Sequence, residues 1–244
     1  MPRFFANSDN ITSDTIRITG DDAYHIARSL RMAVGDSLTV SDGDGTDYLC
    51  TLTRIRDEEC ECQINEKLAS GAEPKIKISL FMAFPKGDKL ETVVQKAVEL
   101  GASEITPFES SRCIKRPKAD KVDKQTARLT RIAHEAAKQS GRARLPKVNA
   151  PLSYSEMLSA ATKSDLALFC YEDEEAMTIK AALREKKCSS ISVIVGSEGG
   201  FSPEEADKAR EGGCVSVTLG PRILRCETAP DYALSAISYE TELG

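Results

Sequence analysis

Apolar and polar positions alternate in short stretches over the first part of the chain and follow a helical spacing later. Thr15–Thr19, Ser37–Ser41, Tyr48–Arg56 and Glu61–Glu66 read as short β-runs. They are separated by turn signals such as Asp42-Gly43-Asp44-Gly45. Asp21–Leu30 has the look of a helix between them, so the first seventy or so residues predict a small β-rich domain. Ala69–Pro74 has linker composition.

Beyond Pro74 strands and helices alternate. Ile76–Phe84 is a nearly continuous apolar strand. Leu90, Val93, Val94, Ala97 and Val98 then fall at i, i+3, i+4, i+7 and i+8, one face of a helix. Asp88 and Glu91 predict a capping box for it, and Gly101 its stop. Glu104–Phe108 is a strand, and Leu129, Ile132, Ala133, Ala136 and Ala137 repeat the helical spacing up to Gly141. Leu166–Tyr171, a helix around Glu174–Lys186, and Ile191–Val195 follow. Ser202-Pro203-Glu204-Glu205 opens another helix, Val215–Leu219 is a strand, and a last helix begins near Thr228, which is positioned to cap it. Strands apolar throughout and joined by helices predict an α/β domain with a parallel sheet covered on both faces.

With 244 residues, 41% of them hydrophobic, the chain can bury a sizeable core as one large or two small domains. No apolar run is long enough to span a membrane, and the amino terminus lacks the apolar stretch of a secretory signal, so a cytoplasmic protein is the expectation. The eight cysteines are scattered, and four sit in or beside apolar runs, where a free thiol acts as a small hydrophobe. Cys60 and Cys62 are the one close pair and His25 and His134 the only histidines, which argues against a metal site.

The net charge of −5 hides an asymmetry. From Arg112 to Lys147 twelve Lys and Arg face three acids, a local +9 that leaves −14 for the rest. Such a zone fits a polyanion partner, although charge alone leaves a solvated helix face equally open.

Two strand ends run into glycine-containing loops, where α/β sheets bind ligands. In Ile191–Pro203 a strand leads through Gly196-Ser-Glu-Gly199-Gly200 to a capped helix. The spacing is neither a dinucleotide fingerprint nor a phosphate loop. In Val215–Pro230 the pair Ile223-Leu224 lies between Arg222 and Arg225, and two apolar residues in a loop predict burial. No Gly-x-Ser-x-Gly elbow occurs. Gln139-Ser-Gly-Arg142 ends the basic helix with polar groups.

Six ordered segments together resemble the RsmE family, the bacterial 16S ribosomal RNA uridine-N3 methyltransferases of the SPOUT superfamily. They are Arg3-Phe4-Phe5, His25–Asp36, Lys86–Gly101, Glu135–Arg142, Gly196–Ser202 and Leu219–Ala229. The resemblance spans essentially the whole chain. Ser197 stands where the family usually has Pro, and Cys226 where it usually has Thr.

The resemblance implies a PUA-like RNA-binding β-barrel over residues 1–70 and a trefoil-knotted methyltransferase domain over 75–244. It implies S-adenosylmethionine as cofactor, held by Val195, Gly196, Glu198, Gly199, Gly200, Leu219, Gly220, Ile223, Leu224, Arg225, Thr228 and Ala229. Gly199, Gly200 and Gly220 would let the backbone approach the cofactor. Arg225 and Glu198 are the catalytic candidates. Arg3, Arg28, Arg31, Lys86, Arg112, Lys115, Arg116, Gln139 and Arg142 would meet RNA. A homodimer acting on one uridine of the small ribosomal subunit, position 1498 in the usual RNA numbering, completes the expectation. A ribose 2′-O-methyltransferase of the same superfamily would share the cofactor loops but not the amino-terminal motifs. A non-enzymatic RNA-binding protein would not need the cofactor loops at all.

Overall fold

The computed structural model describes residues 1–114 and 119–243. The chain forms two compact units. The first comprises Met1–Glu73 together with Ala137–Leu145, and the second comprises Pro74–Ala136 and Pro146–Gly244.

In the first unit the strands are β1 (Arg3–Phe5), β2 (Thr15–Thr19), β3 (Ser37–Ser41), β4 (Thr46–Ile55) and β5 (Glu59–Ala69). They pair in the order β1-β3-β4-β5-β2. β1 runs parallel to β3 and the other pairs are antiparallel. The order has two edges, so the barrel takes the form of a curled sheet. Alternation explains its single core: Ile16 and Ile18 point inward from β2, and Leu52, Cys60 and Cys62 join them. Cys60 and Cys62 are fully buried there among apolar side chains. Helix α1 (Asp21–Tyr24) continues through a π-helical stretch, His25–Ser29, and buries Ala23 and Ile26 against the same core.

The second unit holds β6 (Lys77–Ala83), α2 (Lys89–Glu99), β7 (Ala102–Phe108), α3 (Val122–Ser140), β8 (Lys147–Val148) and α4 (Tyr154–Ala161). There follow β9 (Leu166–Cys170), α5 (Ile179–Glu185), β10 (Ser190–Val195), α6 (Pro203–Glu211), β11 (Val215–Val217) and α7 (Thr228–Ser238). The last turn of α3 groups with the first unit. Six strands pair in the order β11-β9-β10-β6-β7-β8, all parallel. All five residues of β9 are buried, which requires cover on both faces. Because every strand runs the same way, the carboxyl ends of β6, β9, β10 and β11 share one edge. The order reverses beside β6, the place where open α/β sheets bind ligands.

The periodicity places α2 correctly: Leu90, Val93, Val94, Ala97 and Val98 are its buried face. Its predicted capping box is absent. Asp88 makes no side-chain cap, and the Glu91 carboxylate is held by Arg128 Nη2 at 2.8 Å instead. Ser202 and Glu205 do form a reciprocal capping box on α6, with Pro203 in its first turn. The sequence reading passed over three elements: β1, β8 and α4. Helix α4 carries a legible signal in its Ser153–Glu156 capping box. Helix α5 is shorter than expected, because Thr178 caps it and the chain ahead of it is irregular.

Candidate active site

A pocket of about 540 Å³ opens at the carboxyl edge of the parallel sheet, wholly within the second unit. Its size suits a small-molecule ligand. The turn after β10 supplies Val195, Gly196, Ser197, Glu198, Gly199 and Gly200. The segment after β11 supplies Thr218, Leu219, Gly220, Arg222, Ile223, Leu224, Arg225, Cys226 and Ala229. Cys170, Tyr171 and Glu172 come from the end of β9, and Lys89 from the start of α2. The two glycine loops therefore meet on one cavity. Of the predicted cofactor residues only Thr228 is not on its wall; it is exposed at the start of α7, whose N-cap is Glu227.

The first loop is fixed from below by Phe201, which is 1% exposed and packs on Phe169 with ring centroids 4.3 Å apart. The Gly200 N–H donates to the Ser197 carbonyl at 3.0 Å, closing a tight turn. Gly200 has φ +61°, and a β-carbon there would lie 1.9 Å from Glu172 Oε1. A β-carbon on Gly199 would lie 2.9 Å from the Arg112 β-carbon. These glycines thus admit neighbouring protein side chains, a packing reason that the sequence did not reveal. Ser197, in the place of the family's proline, lines the pocket, and its hydroxyl has no hydrogen-bond partner among the described residues.

Four groups define the electrostatics. Lys89 Nζ lies 3.0 Å from Glu198 Oε1 and 3.1 Å from Glu227 Oε2. These carboxylates raise the lysine's pKa well above its usual value. Burial works to raise Glu198, but its own backbone N–H, the Lys89 ammonium and the Lys86 N–H together bring it below the usual carboxylate range. Glu227 is lowered to about 2, first by the Cys226 thiol and its own N–H, then by Lys89. Burial and the Glu227 carboxylate push the Cys226 thiol up to about 12, so it is inert at neutral pH.

The structure corrects several expected roles. Glu198 is a poor general base, because its acceptor sites are committed to Lys89 and the Lys86 N–H. Ile223 is not buried; it is 86% exposed at the rim, while Leu224 is partly buried. Arg142 is 2% exposed and its Nη2 donates to Glu73 at 3.0 Å, so no face of it is open to phosphate. Arg3 is mostly buried in a bidentate pair with Asp47 and is likewise spent. Arg112 is exposed, yet its Nη1 donates to the Gly199 carbonyl at 2.9 Å. It belongs to the first loop as much as to any RNA track.

Lys86, Arg28, Arg31 and Gln139 are exposed, with Arg28 paired to Asp57 at 2.5 Å. Arg31 is the single non-glycine residue of positive φ among the described residues, at +53°. Lys115 and Arg116 lie outside the described residues. No side-chain hydrogen bond or ion pair engages Arg222 or Arg225 among the described residues. Lys89, Glu172 and Glu227 are site residues that the reading missed. Lys89 was visible within the Lys86–Gly101 segment, but its partners were not.

Comparison with known proteins places the chain in a family. The RNA methyltransferase domain family matches residues 72–238, and the RNA methyltransferase PUA domain family matches 18–65. A ribosomal RNA small subunit methyltransferase E from Bacillus subtilis is 38% identical over 94% of this chain and 91% of its own length. The chain belongs to the ribosomal RNA small subunit methyltransferase E family. A crystal structure of a family member from Neisseria gonorrhoeae, bound to S-adenosyl methionine, superposes with a TM-score of 0.86 at 30% identity, covering 98% of both chains. A methyltransferase from Legionella pneumophila, also in complex with S-adenosylmethionine, gives 0.85 at 28% identity over 98% of this chain and 97% of the other.

Proposed function

We propose that this protein is an S-adenosylmethionine-dependent methyltransferase of 16S ribosomal RNA, and that it methylates N3 of a single uridine of the small subunit. The observation that carries the reading is the single pocket onto which both glycine loops converge. Its donor set fits the cofactor. Val195, Leu219, Leu224 and Ala229 offer an apolar wall for a heterocycle. Glu172 supplies a carboxylate suited to hydroxyl and cationic groups, and Arg222 offers guanidinium charge for a carboxylate.

S-adenosylmethionine supplies, when bound, a methyl group already activated by its sulfonium. The protein's work is then binding, alignment and charge stabilisation. Uridine N3 becomes nucleophilic as its proton passes to solvent. Arg225, exposed on the pocket wall with no side-chain hydrogen bond or ion pair among the described residues, stabilises the resulting anion. Glu198 stays ionised and holds the loop. N3 lies on the pairing edge of the base, so the target uridine is unpaired or flipped out.

Lys86 is an exposed cation beside the pocket, since its backbone N–H holds Glu198, and it is assigned to the RNA. Lys115, Arg116 and Gln139 keep that assignment, and Arg28 and Arg31 carry it on the PUA-like unit. The account includes domains over 1–70 and 75–244, a deep trefoil knot in the second, and a homodimer. The knot rests on the family whose RNA methyltransferase domain matches residues 72–238. Support for the dimer is a line of exposed Tyr232, Tyr239 and Leu243 at helical spacing along α7 and its extension.

Incubation with labelled cofactor and small subunits that lack the modification tests the reading. Label is expected in the 16S RNA and absent from large-subunit RNA. Label in neither, from protein that binds the cofactor, would contradict it.

A further inference from the structure

We propose that Lys89 is a positioning residue for methyl transfer: its ammonium ties the loop after β10 to the loop after β11 and so sets the register of the two pocket walls. The inference rests on the cofactor reading of the pocket.

Lys89 opens helix α2 just beyond the carboxyl end of β6 and reaches onto the pocket wall. Its ammonium has a partner on each glycine loop. Glu198 of the first lies at 3.0 Å, and Glu227 of the second at 3.1 Å. The Cys226 sulfur lies 3.8 Å away. The first contact is reinforced, since the Lys86 N–H reaches both Glu198 oxygens at 3.1 and 3.2 Å. The second is extended by the Cys226 thiol, which donates to Glu227 Oε2 at 3.2 Å. One cation therefore stands between two carboxylates, one carried by each loop.

Charge decides what this cation can do. An ammonium flanked by two carboxylates leaves a local excess of negative charge, so it is no phosphate clamp for RNA. It stays protonated and cannot act as a base. Without it, two like charges, one on each loop, would be left uncompensated and would push the loops apart. The loss would fall on the shape of the cofactor site rather than on groups aimed at the nucleobase.

The experiment is steady-state kinetics on full-length variants, with S-adenosylhomocysteine binding measured by calorimetry. Lys89→Met should raise the cofactor KM roughly tenfold or more and lower kcat by a smaller factor. Lys89→Arg should recover most of the loss, because a guanidinium can bridge two carboxylates. Glu227→Gln placed in the Lys89→Met background should also recover part of it by removing the repulsion. Glu227→Gln alone, should Lys89→Met fail to fold, should raise KM by a smaller factor. Unchanged KM in Lys89→Met or in Glu227→Gln would overturn the inference while wild-type binding left the cofactor site standing. A folded Lys89→Met protein rescued by neither second change would also overturn it. A wild-type protein that binds no cofactor would overturn both readings.

Discussion

Arg225 and Glu198 share a pocket, but their surroundings divide their work. No side-chain hydrogen bond or ion pair engages Arg225 among the described residues, whereas Glu198 is held by Lys89 and the Lys86 N–H. Arg225→Ala should therefore depress kcat by about 10²-fold, the scale for removing one charge-stabilising donor, while cofactor affinity stays nearly constant. Parallel turnover and calorimetric titrations check this; an equal loss of both would make Arg225 a binding residue only. At Gly200 an added methyl would strike the Glu172 carboxylate 1.9 Å away, at a φ that L-residues avoid. Gly200→Ala should weaken cofactor binding about tenfold in a folded protein, through strain at this φ and displacement of the Glu172 side chain, and full affinity would remove the loop from the site. The Gly199-Gly200 pair was legible as a ligand loop. The side chains that require those glycines, Arg112 and Glu172, were not, because spacing along a chain carries no information on what folds against it.

At the scale of elements, helical periodicity was easily read wherever an apolar stripe met the core, as in α2. It was silent for β1 and β8, which are three and two residues long. Burial of polar groups was harder still to read. Arg142, placed by sequence at an open helix end, is instead sealed against Glu73, whose other oxygen accepts the Ala143 and Arg144 N–H groups. Arg142→Ala would take the cation from a largely buried carboxylate that keeps two N–H donors and should cost about 1.5–3 kcal/mol by urea unfolding. A change under about 1 kcal/mol would mean that water satisfies Glu73.

The starts of β9 and β10 are joined by Asp165, whose Oδ2 accepts from the hydroxyls and N–H groups of Ser189 and Ser190. These bonds lower its pKa from 3.8 to about 2. A depressed carboxyl stabilises the fold above its unfolded value and loses that contribution as pH falls through the folded value. Stability tied to Asp165 should therefore vanish between about pH 4 and pH 2. Comparison of wild type and Asp165→Asn by chemical unfolding across that range should show curves that converge on acidification. Curves separated by a constant amount would contradict this.

For the whole molecule, the run of positive charge was legible as a polyanion signal but not as a surface. The fold divides it: Arg112, Lys121, Lys124, Arg128 and Arg131 belong to the second unit, and Lys138, Arg142 and Arg144 to the first. It also takes Arg142 out of solvent and ties Arg112 to Gly199. Charge reversal at exposed Lys86 should weaken RNA binding and flatten its dependence on salt. An Arg142 variant still folded under assay conditions should leave the salt slope unaltered. Equal slopes for wild type and the Lys86 variant would remove Lys86 from the interface. The strand order and the path of the chain depend on pairings between distant segments, and for these only resemblance to a known family gave guidance.

The central claim is methylation at uridine N3, and identifying the product nucleoside tests it most directly. Small subunits lacking the modification would be treated with the protein and labelled S-adenosylmethionine, and their RNA digested and analysed by mass spectrometry. The account predicts N3-methyluridine from one site in the 16S RNA. A 2′-O-methylated nucleoside, or a methylated base other than uridine, would contradict it.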